Sequence, residues 1–206
     1  EAGFNTLNTK EKLKAFFEKY YPSLLPYIPH LYQEYFENPV GTLGTIKCYP
    51  WQAYGKALLM GDASHAIVPF YGQGMNASLE DVRIFDETLE DFESDWEKVF
   101  INFQEKRRHN ANAIADLAID NFYEMRDHVD DVNFMRKRQI EMQLEQQFPD
   151  YYSKYSLVTF QANLPYEQAM KRGRRQDDLL LKMCSREDFD QIPLADYHQQ
   201  LMTLTL

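Results

Sequence analysis

Ala57-Leu58-Leu59-Met60-Gly61-Asp62-Ala63-Ser64-His65-Ala66-Ile67-Val68-Pro69-Phe70-Tyr71-Gly72-Gln73-Gly74-Met75-Asn76-Ala77-Ser78-Leu79-Glu80 is the stretch on which the reading of this chain turns. A short apolar run ends in Gly61-Asp62, a loop punctuated by Pro69 and Gly72 follows, and Gly72-Gln73-Gly74 opens an amphipathic segment. A glycine lets backbone approach a ligand closely, and the aspartate after it accepts hydrogen bonds from hydroxyls. Two glycines around a helix start leave the first amides free, where the helix dipole favours negative charge. The pair suits a polyhydroxylated ligand with an electron-accepting ring. Each half also has a plainer reading, Gly61-Asp62 as a turn or helix cap and Gly72-Gln73-Gly74 as a glycine-rich turn.

Outward from this stretch, helix dominates. Met75, Leu79, Val82, Phe85 or Asp86, Leu89 and Phe92 recur at helical spacing and predict a helix over about 74–92. Ala57–Met60 is expected to be a short buried strand after a turn at 51–56, and 41–49, with Thr42, Thr45 and Ile46, to be extended. Upstream, Asn8 and Glu11 have capping-box spacing before a helix over 9–21, and Pro22, Pro26 and Pro29 leave room for one short helix over 23–36. Downstream, Ser94 and Glu97 form a second capping box before a long helix reaching about residue 128, with a bend near 108–110. A helix over 130–147 stops before Pro149, Tyr155–Phe160 reads as extended, 166–183 is helical, and the tail from Ser185 reads as loosely packed. The fold class is therefore an α-rich α/β chain, a few strands followed by helices. The domain division is 1–110 and 111–206, with the seam inside a shared helix.

Composition bounds the function. The chain has 206 residues, 44% hydrophobic and 26% charged, so its core is ample for one large domain or two small ones. Fourteen Tyr and fourteen Phe favour large buried contacts or a pocket for a flat ligand. A net charge of −10 argues against a general affinity for nucleic acid. Cys48 and Cys184 form no CxxC pair, no HExxH motif occurs, and no metal is expected. No apolar run is long enough for a membrane span, no signal peptide is visible, and a cytoplasmic location is expected.

Three single residues remain open. His65 is expected to be a packed, hydrogen-bonded histidine rather than a catalytic one. Asn121 falls in register with an apolar stripe of Ile114, Leu117, Ala118, Phe122, Met125 and Val129, so its amide must be paired, with another helix or with a ligand. Tyr155 poses the same question with a phenol. The basic cluster Lys171-Arg172-Gly173-Arg174-Arg175 reads as a solvated helix face.

Gly61-Asp62-Ala63-Ser64-His65 followed by Pro69-Phe70-Tyr71-Gly72-Gln73-Gly74-Met75-Asn76 resembles the second flavin-binding segment of the single-component FAD-dependent aromatic hydroxylases. Asn121-Phe122-Tyr123-Glu124-Met125-Arg126-Asp127-His128-Val129 and Tyr155-Ser156-Leu157-Val158-Thr159-Phe160, with Glu80–Asp86, narrow the resemblance to the kynurenine 3-monooxygenase branch. It extends from about residue 10 to about residue 183. It implies FAD as cofactor, NADPH and O2 as co-substrates, and hydroxylation of L-kynurenine through a flavin hydroperoxide. It implies that Asp62 binds the ribityl chain and that Gly72, Gln73, Gly74, Met75 and Asn76 face the flavin ring. It further implies that Pro69, Phe70, Gln73, Asn121 and Tyr155 contact substrate, with no side chain acting as nucleophile. Ser64 stands where that family usually has Ala. The GxGxxG unit that grips the FAD pyrophosphate and the carboxylate-binding Arg and Tyr find no match here, so the expectation is the C-terminal part of a larger, bacterial-type enzyme, inactive by itself. The alternatives are a hydroxylase of another aromatic acid and a non-catalytic helical interaction module.

Overall fold

The computed structural model describes residues 2–93, 95–128 and 130–204. They form two compact units, 1–43 and 44–206. In the first unit α1 (Lys10–Tyr20) starts at Thr9, whose hydroxyl accepts from Lys12 N–H at 3.3 Å. The expected cap, Asn8, instead accepts from the Lys12 ammonium at 3.0 Å. Thr9 has the extended backbone that aims a side chain at the first free amides, which is what capping requires. After Tyr21 come a 3₁₀ turn (Pro22–Tyr27) and α2 (Leu31–Glu37), so the proline-rich stretch holds two short helical pieces. Phe4 stacks on Tyr35 with ring centroids 5.5 Å apart, and Leu13 is fully buried.

The second unit begins with extended chain that pairs with no strand. Ile46 and Cys48 donate to the carbonyls of Ala66 and Ser64 at 2.8 and 3.3 Å, so alternate residues are tied to the segment after Gly61. Next come β1 (Gln52–Ala53) and β2 (Ala57–Leu58), a two-residue antiparallel ribbon closed by Tyr54 and Gly55, both at positive φ. The strand expected at Ala57–Met60 is thus shorter than its apolar run, and it is not buried: Ala57 and Leu59 are exposed.

A single-turn helix α3 (Asp62–His65), a 3₁₀ turn (Pro69–Tyr71) and α4 (Gly74–Asp91) follow. The length of α4 matches the sequence expectation, and much of its apolar stripe faces outward. Met75, Leu79 and Val82 are 72, 60 and 58% exposed, whereas Ala77, Asp81 and Thr88 are buried. Burying Asp81 is possible because a histidine and an arginine meet it, as described below.

Helix α5 (Trp96–Asp127) is capped by Asp95, which accepts from Lys98 N–H at 3.3 Å. The Ser94 cap expected from sequence lies outside the described residues, as does Val129 of the apolar stripe. The helix runs through residue 110 without interruption, so the seam expected there lies within one continuous element, while the compact units divide at Leu43/Gly44. α6 (Val132–Gln147) starts at Asp131, which accepts from Phe134 N–H at 2.9 Å.

Two expectations fail further on. Tyr155–Phe160 is not extended: Ser153 accepts from Ser156 N–H at 3.3 Å and starts α7 (Lys154–Thr159). A capping serine overrides the β-leaning composition of the Leu157-Val158-Thr159 run. After α8 (Tyr166–Cys184) the tail is not loose: it forms a 3₁₀ turn (Phe189–Gln191) and α9 (Leu194–Met202). Tyr197 and Leu201 of α9 join Leu144, Tyr151, Leu180 and Met183 in one buried cluster. A second cluster, Tyr71, Ala77, Ile114, Leu117, Ala118, Leu157 and Ala169, packs α4, α5, α7 and α8 together; Trp51, Phe103 and Ala111 form a third. Each such fully buried aliphatic side chain contributes about 1.5–3 kcal/mol.

Candidate functional site

Gly61 has φ 57°, a backbone that favours glycine, and a Cβ there would lie 3.1 Å from Ser78 Oγ. Its N–H donates to Asp81 Oδ2 at 2.9 Å and its carbonyl accepts from Ser64 and His65, so the turn is held from both sides. Asp81 is the hub. His65 Nε2 lies 2.6 Å from Oδ2, Arg107 Nε donates to Oδ1 at 2.7 Å, and Arg107 also donates to Glu80 at 2.7 Å and to the Ala77 carbonyl at 3.2 Å. Burial pushes the Asp81 carboxyl up, but the bonds from His65, Arg107 and the Gly61 amide outweigh it and hold it below the usual carboxylate range. His65 therefore belongs to a buried ionic brace, 1% exposed, with Trp51 beside its ring at 5.3 Å.

The brace fixes the turn and leaves Asp62 outside it. Asp62 is exposed at the first position of α3, with no hydrogen-bond partner among the described residues. On the other side of the loop Gly72 adopts the left-handed conformation and α4 begins. The first backbone bond of α4 runs from Ala77 N–H to the Gln73 carbonyl at 2.9 Å, so the amides of Gly74, Met75 and Asn76 have no acceptor within the helix. The Asn76 side chain donates to Gln73 Oε1 at 2.9 Å instead of covering those amides. An exposed carboxylate and three outward amides are acceptors and donors a polar cofactor could satisfy.

Asn121 and Tyr155 come together. Both line a cavity of about 160 Å³ with Tyr71, Glu124, Met125, Phe134, Lys137, Arg138, Glu141 and Lys154. Asn121 donates through Nδ2 to the Phe70 carbonyl, so its amide is partly used in tying α5 to the Pro69–Tyr71 turn. Tyr155 stacks on Tyr71 with centroids 5.3 Å apart, and Tyr71 donates to the Lys154 carbonyl at 3.1 Å. Phe70 packs against Phe122 at 4.7 Å, and Pro69 is exposed. Gln73 lies elsewhere, on a separate cleft with Asn76, Glu80 and Thr159. Met125, counted in the buried stripe, is 59% exposed.

Sequence reasoning missed the charges around that cavity. Lys154, in α7, pairs with Glu124 of α5 and with Asp177 of α8, the latter at 2.5 Å. Lys137 pairs with Asp177 at 2.6 Å and Glu141 at 3.5 Å, and Arg138 reaches Glu141 at 3.0 Å. Burial pushes the Glu141 carboxyl up, against the pull of Lys137. These residues sit at scattered positions in polar-looking stretches, so no spacing announces them. Among the described residues no group of three or more His, Cys, Asp and Glu is arranged to hold a metal ion.

Residues 44–117 match the family of FAD binding domains. Kynurenine 3-monooxygenase of Legionella pneumophila (strain Corby) is 41% identical over 181 residues, 88% of this chain and 40% of that protein. Its namesake in Dictyostelium discoideum is 40% identical over 216 aligned positions, 98% of this chain and 45% of that one. That of Myxococcus xanthus is 42% identical over 181 residues, 87% of this chain and 39% of that protein. Along most of its length, then, the chain is similar to the kynurenine 3-monooxygenases, and it spans less than half the length of the relatives it matches.

Proposed function

We propose that this chain forms part of an FAD- and NADPH-dependent monooxygenase that converts L-kynurenine and O2 to 3-hydroxykynurenine and water. The residues fit the cofactor: the exposed Asp62 carboxylate is free to accept from ribityl hydroxyls, and the amides of Gly74, Met75 and Asn76 suit the pyrimidine edge of a flavin. Bound FAD would supply the electron transfer and oxygen activation, for which no protein side chain is an adequate substitute. The protein's own part is to bind, orient and exclude water. Asp62 and the segment Gly72–Asn76 hold the cofactor. Asn121 and Tyr155 hold the amino-acid end of the substrate with Pro69 and Phe70 on its ring side, and Gln73, which lines a separate cleft, would reach the substrate only from the flavin side. In functional terms residues 1–110 serve the flavin side, and 111–206 form the helical part over the substrate.

The observation that carries this reading is the convergence of Asn121 and Tyr155, from different helices, on one cavity beside the Pro69–Tyr71 turn. The cavity wall bears both carboxylates and cations, which favours a zwitterionic amino acid over a simple aromatic acid. Anaerobic titration of the natural protein that carries this chain with NADPH tests it. Kynurenine is expected to accelerate flavin reduction and, with O2, to yield the hydroxylated product. No acceleration and no product would overturn the reading; acceleration by a benzoate or phenol alone would shift it to another aromatic acid.

A further inference from the structure

We propose that Lys154 is the positioning residue of the Asn121–Tyr155 cavity, its ammonium joining Glu124 to Asp177 while its carbonyl anchors Tyr71. The inference rests on the reading of that cavity as the substrate site. Lys154 is 7% exposed and its side chain joins α5 to α8, which also share the more exposed Arg174–Asp120 pair at 2.8 Å. Its backbone lies so close to α8 that a Cβ on Gly173 would fall 2.5 Å from Lys154 Cγ and 3.0 Å from its Cα. Gly173 is thus what allows α7 to settle onto α8 at this depth, and it gives the glycine of the basic cluster a role. Tyr71 donates to the Lys154 carbonyl and stacks on the ring of Tyr155, the next residue. One residue therefore connects Glu124 and both tyrosines of the cavity wall to Asp177 of α8.

Charge makes the position consequential. The groups facing Lys154 are Glu124 from α5, Asp177 from α8 and, through Asp177, Lys137 and Glu141 from α6. Burial favours a neutral lysine here, yet Asp177 and Glu124 together outweigh it and hold the ammonium charged. Without that ammonium Glu124 would lose its cation and Asp177 would keep only Lys137, leaving two neighbouring carboxylates whose ionisation is coupled. Their charge would then change across ordinary pH and repel the carboxylate end of a bound amino acid. A lysine that only filled space would have no such signature.

The test uses tyrosine-ring NMR signals of the chain, assigned with Tyr71→Phe and Tyr155→Phe, and followed from about pH 5 to pH 8, above the ordinary carboxylate range. The wild type and Lys154→Arg are expected to give the same profile, which carries whatever inflection the buried Glu141 carboxyl on the cavity wall imposes. In Lys154→Met they are expected to move and to share one carboxylate inflection that the wild-type profile lacks. Should Lys154→Met fail to fold, Glu124→Gln serves: it removes one arm of the bridge and is expected to displace the Tyr155 signals. Tyrosine signals that keep the wild-type profile in Lys154→Met, or stay unmoved in Glu124→Gln, overturn the proposal. In the natural protein Lys154→Met is expected to raise the KM for kynurenine about tenfold, more than it lowers kcat, with Lys154→Arg recovering most of the loss. If the NMR signature appears and kynurenine has no effect on any variant, the substrate reading fails while the positioning role stands.

Discussion

Asp81 and Asp62 are near neighbours in space with opposite consequences. Replacing Asp81 with Asn would leave the buried guanidinium of Arg107 and the imidazole of His65 without their charged partner, at an expected cost of about 3–5 kcal/mol in chemical unfolding. The same carboxylate sets an acid limit. Its folded pKa is depressed, so its stabilising contribution is complete above the unfolded value near 3.9 and drains away as pH falls through the folded value. Urea midpoints recorded at decreasing pH should drop at the acid end in the wild type, and that drop should be smaller in Asp81→Asn. Asp62→Ala is expected to leave the melting temperature unchanged, because the side chain is exposed and hydrogen-bonds to no described residue, and to lower FAD retention in the natural protein. Gly61→Ala should cost about 1–3 kcal/mol, since φ 57° strains an alanine and Ser78 crowds its methyl. At this scale the sequence already carried the glycine–aspartate turn, because a special backbone demands a special residue. It did not disclose Asp81, whose significance depends on a histidine and an arginine brought from other segments.

Among the elements, the helices with side-chain caps and long periodic runs were legible, and the short or charge-lined ones were not. α5 declares itself by an uninterrupted run without Pro or Gly, and α8 by its length. α7 is six residues long and misread as extended, since its apolar run cannot be told from a strand without knowing that Ser153 folds back onto Ser156. Ser153→Ala is accordingly expected to destabilise by about 1 kcal/mol and to loosen the Tyr155–Tyr71 stack, visible in the tyrosine ring signals. α9 was read as a loose tail because its two anchoring residues, Tyr197 and Leu201, make a weak pattern in isolation. Leu201→Ala should cost about 2–5 kcal/mol, which thermal unfolding would register. α4 was legible in its extent, but its apolar periodicity does not tell which face is buried. Leu79→Gln on its exposed stripe is expected to shift the stability of the chain by less than about 0.5 kcal/mol.

For the whole molecule, the division of labour lies in the second unit, where helices from α4 to α8 assemble a braced turn and a charged cavity without any strand of substance. The relatives carry more than half of their length outside the matched region, and the chain purified by itself is expected to retain no FAD, a result that a visible spectrum would decide. What the sequence by itself determined were the local commitments: the Gly61-Asp62 turn, the glycines around the start of α4, the long helices, and an Asn121 and a Tyr155 that needed partners. Those follow from backbone strain, capping and periodicity, which act within a few residues. What only the tertiary structure decided were the facing of α4, the docking of the tail, the brace at Asp81 and the bridging of Glu124 and Asp177 by Lys154. The facing of α4, the brace and the bridge depend on pairing a buried charge with one distant in sequence, and the tail on apolar residues brought from α6 and α8; no local pattern records which distant partner will arrive.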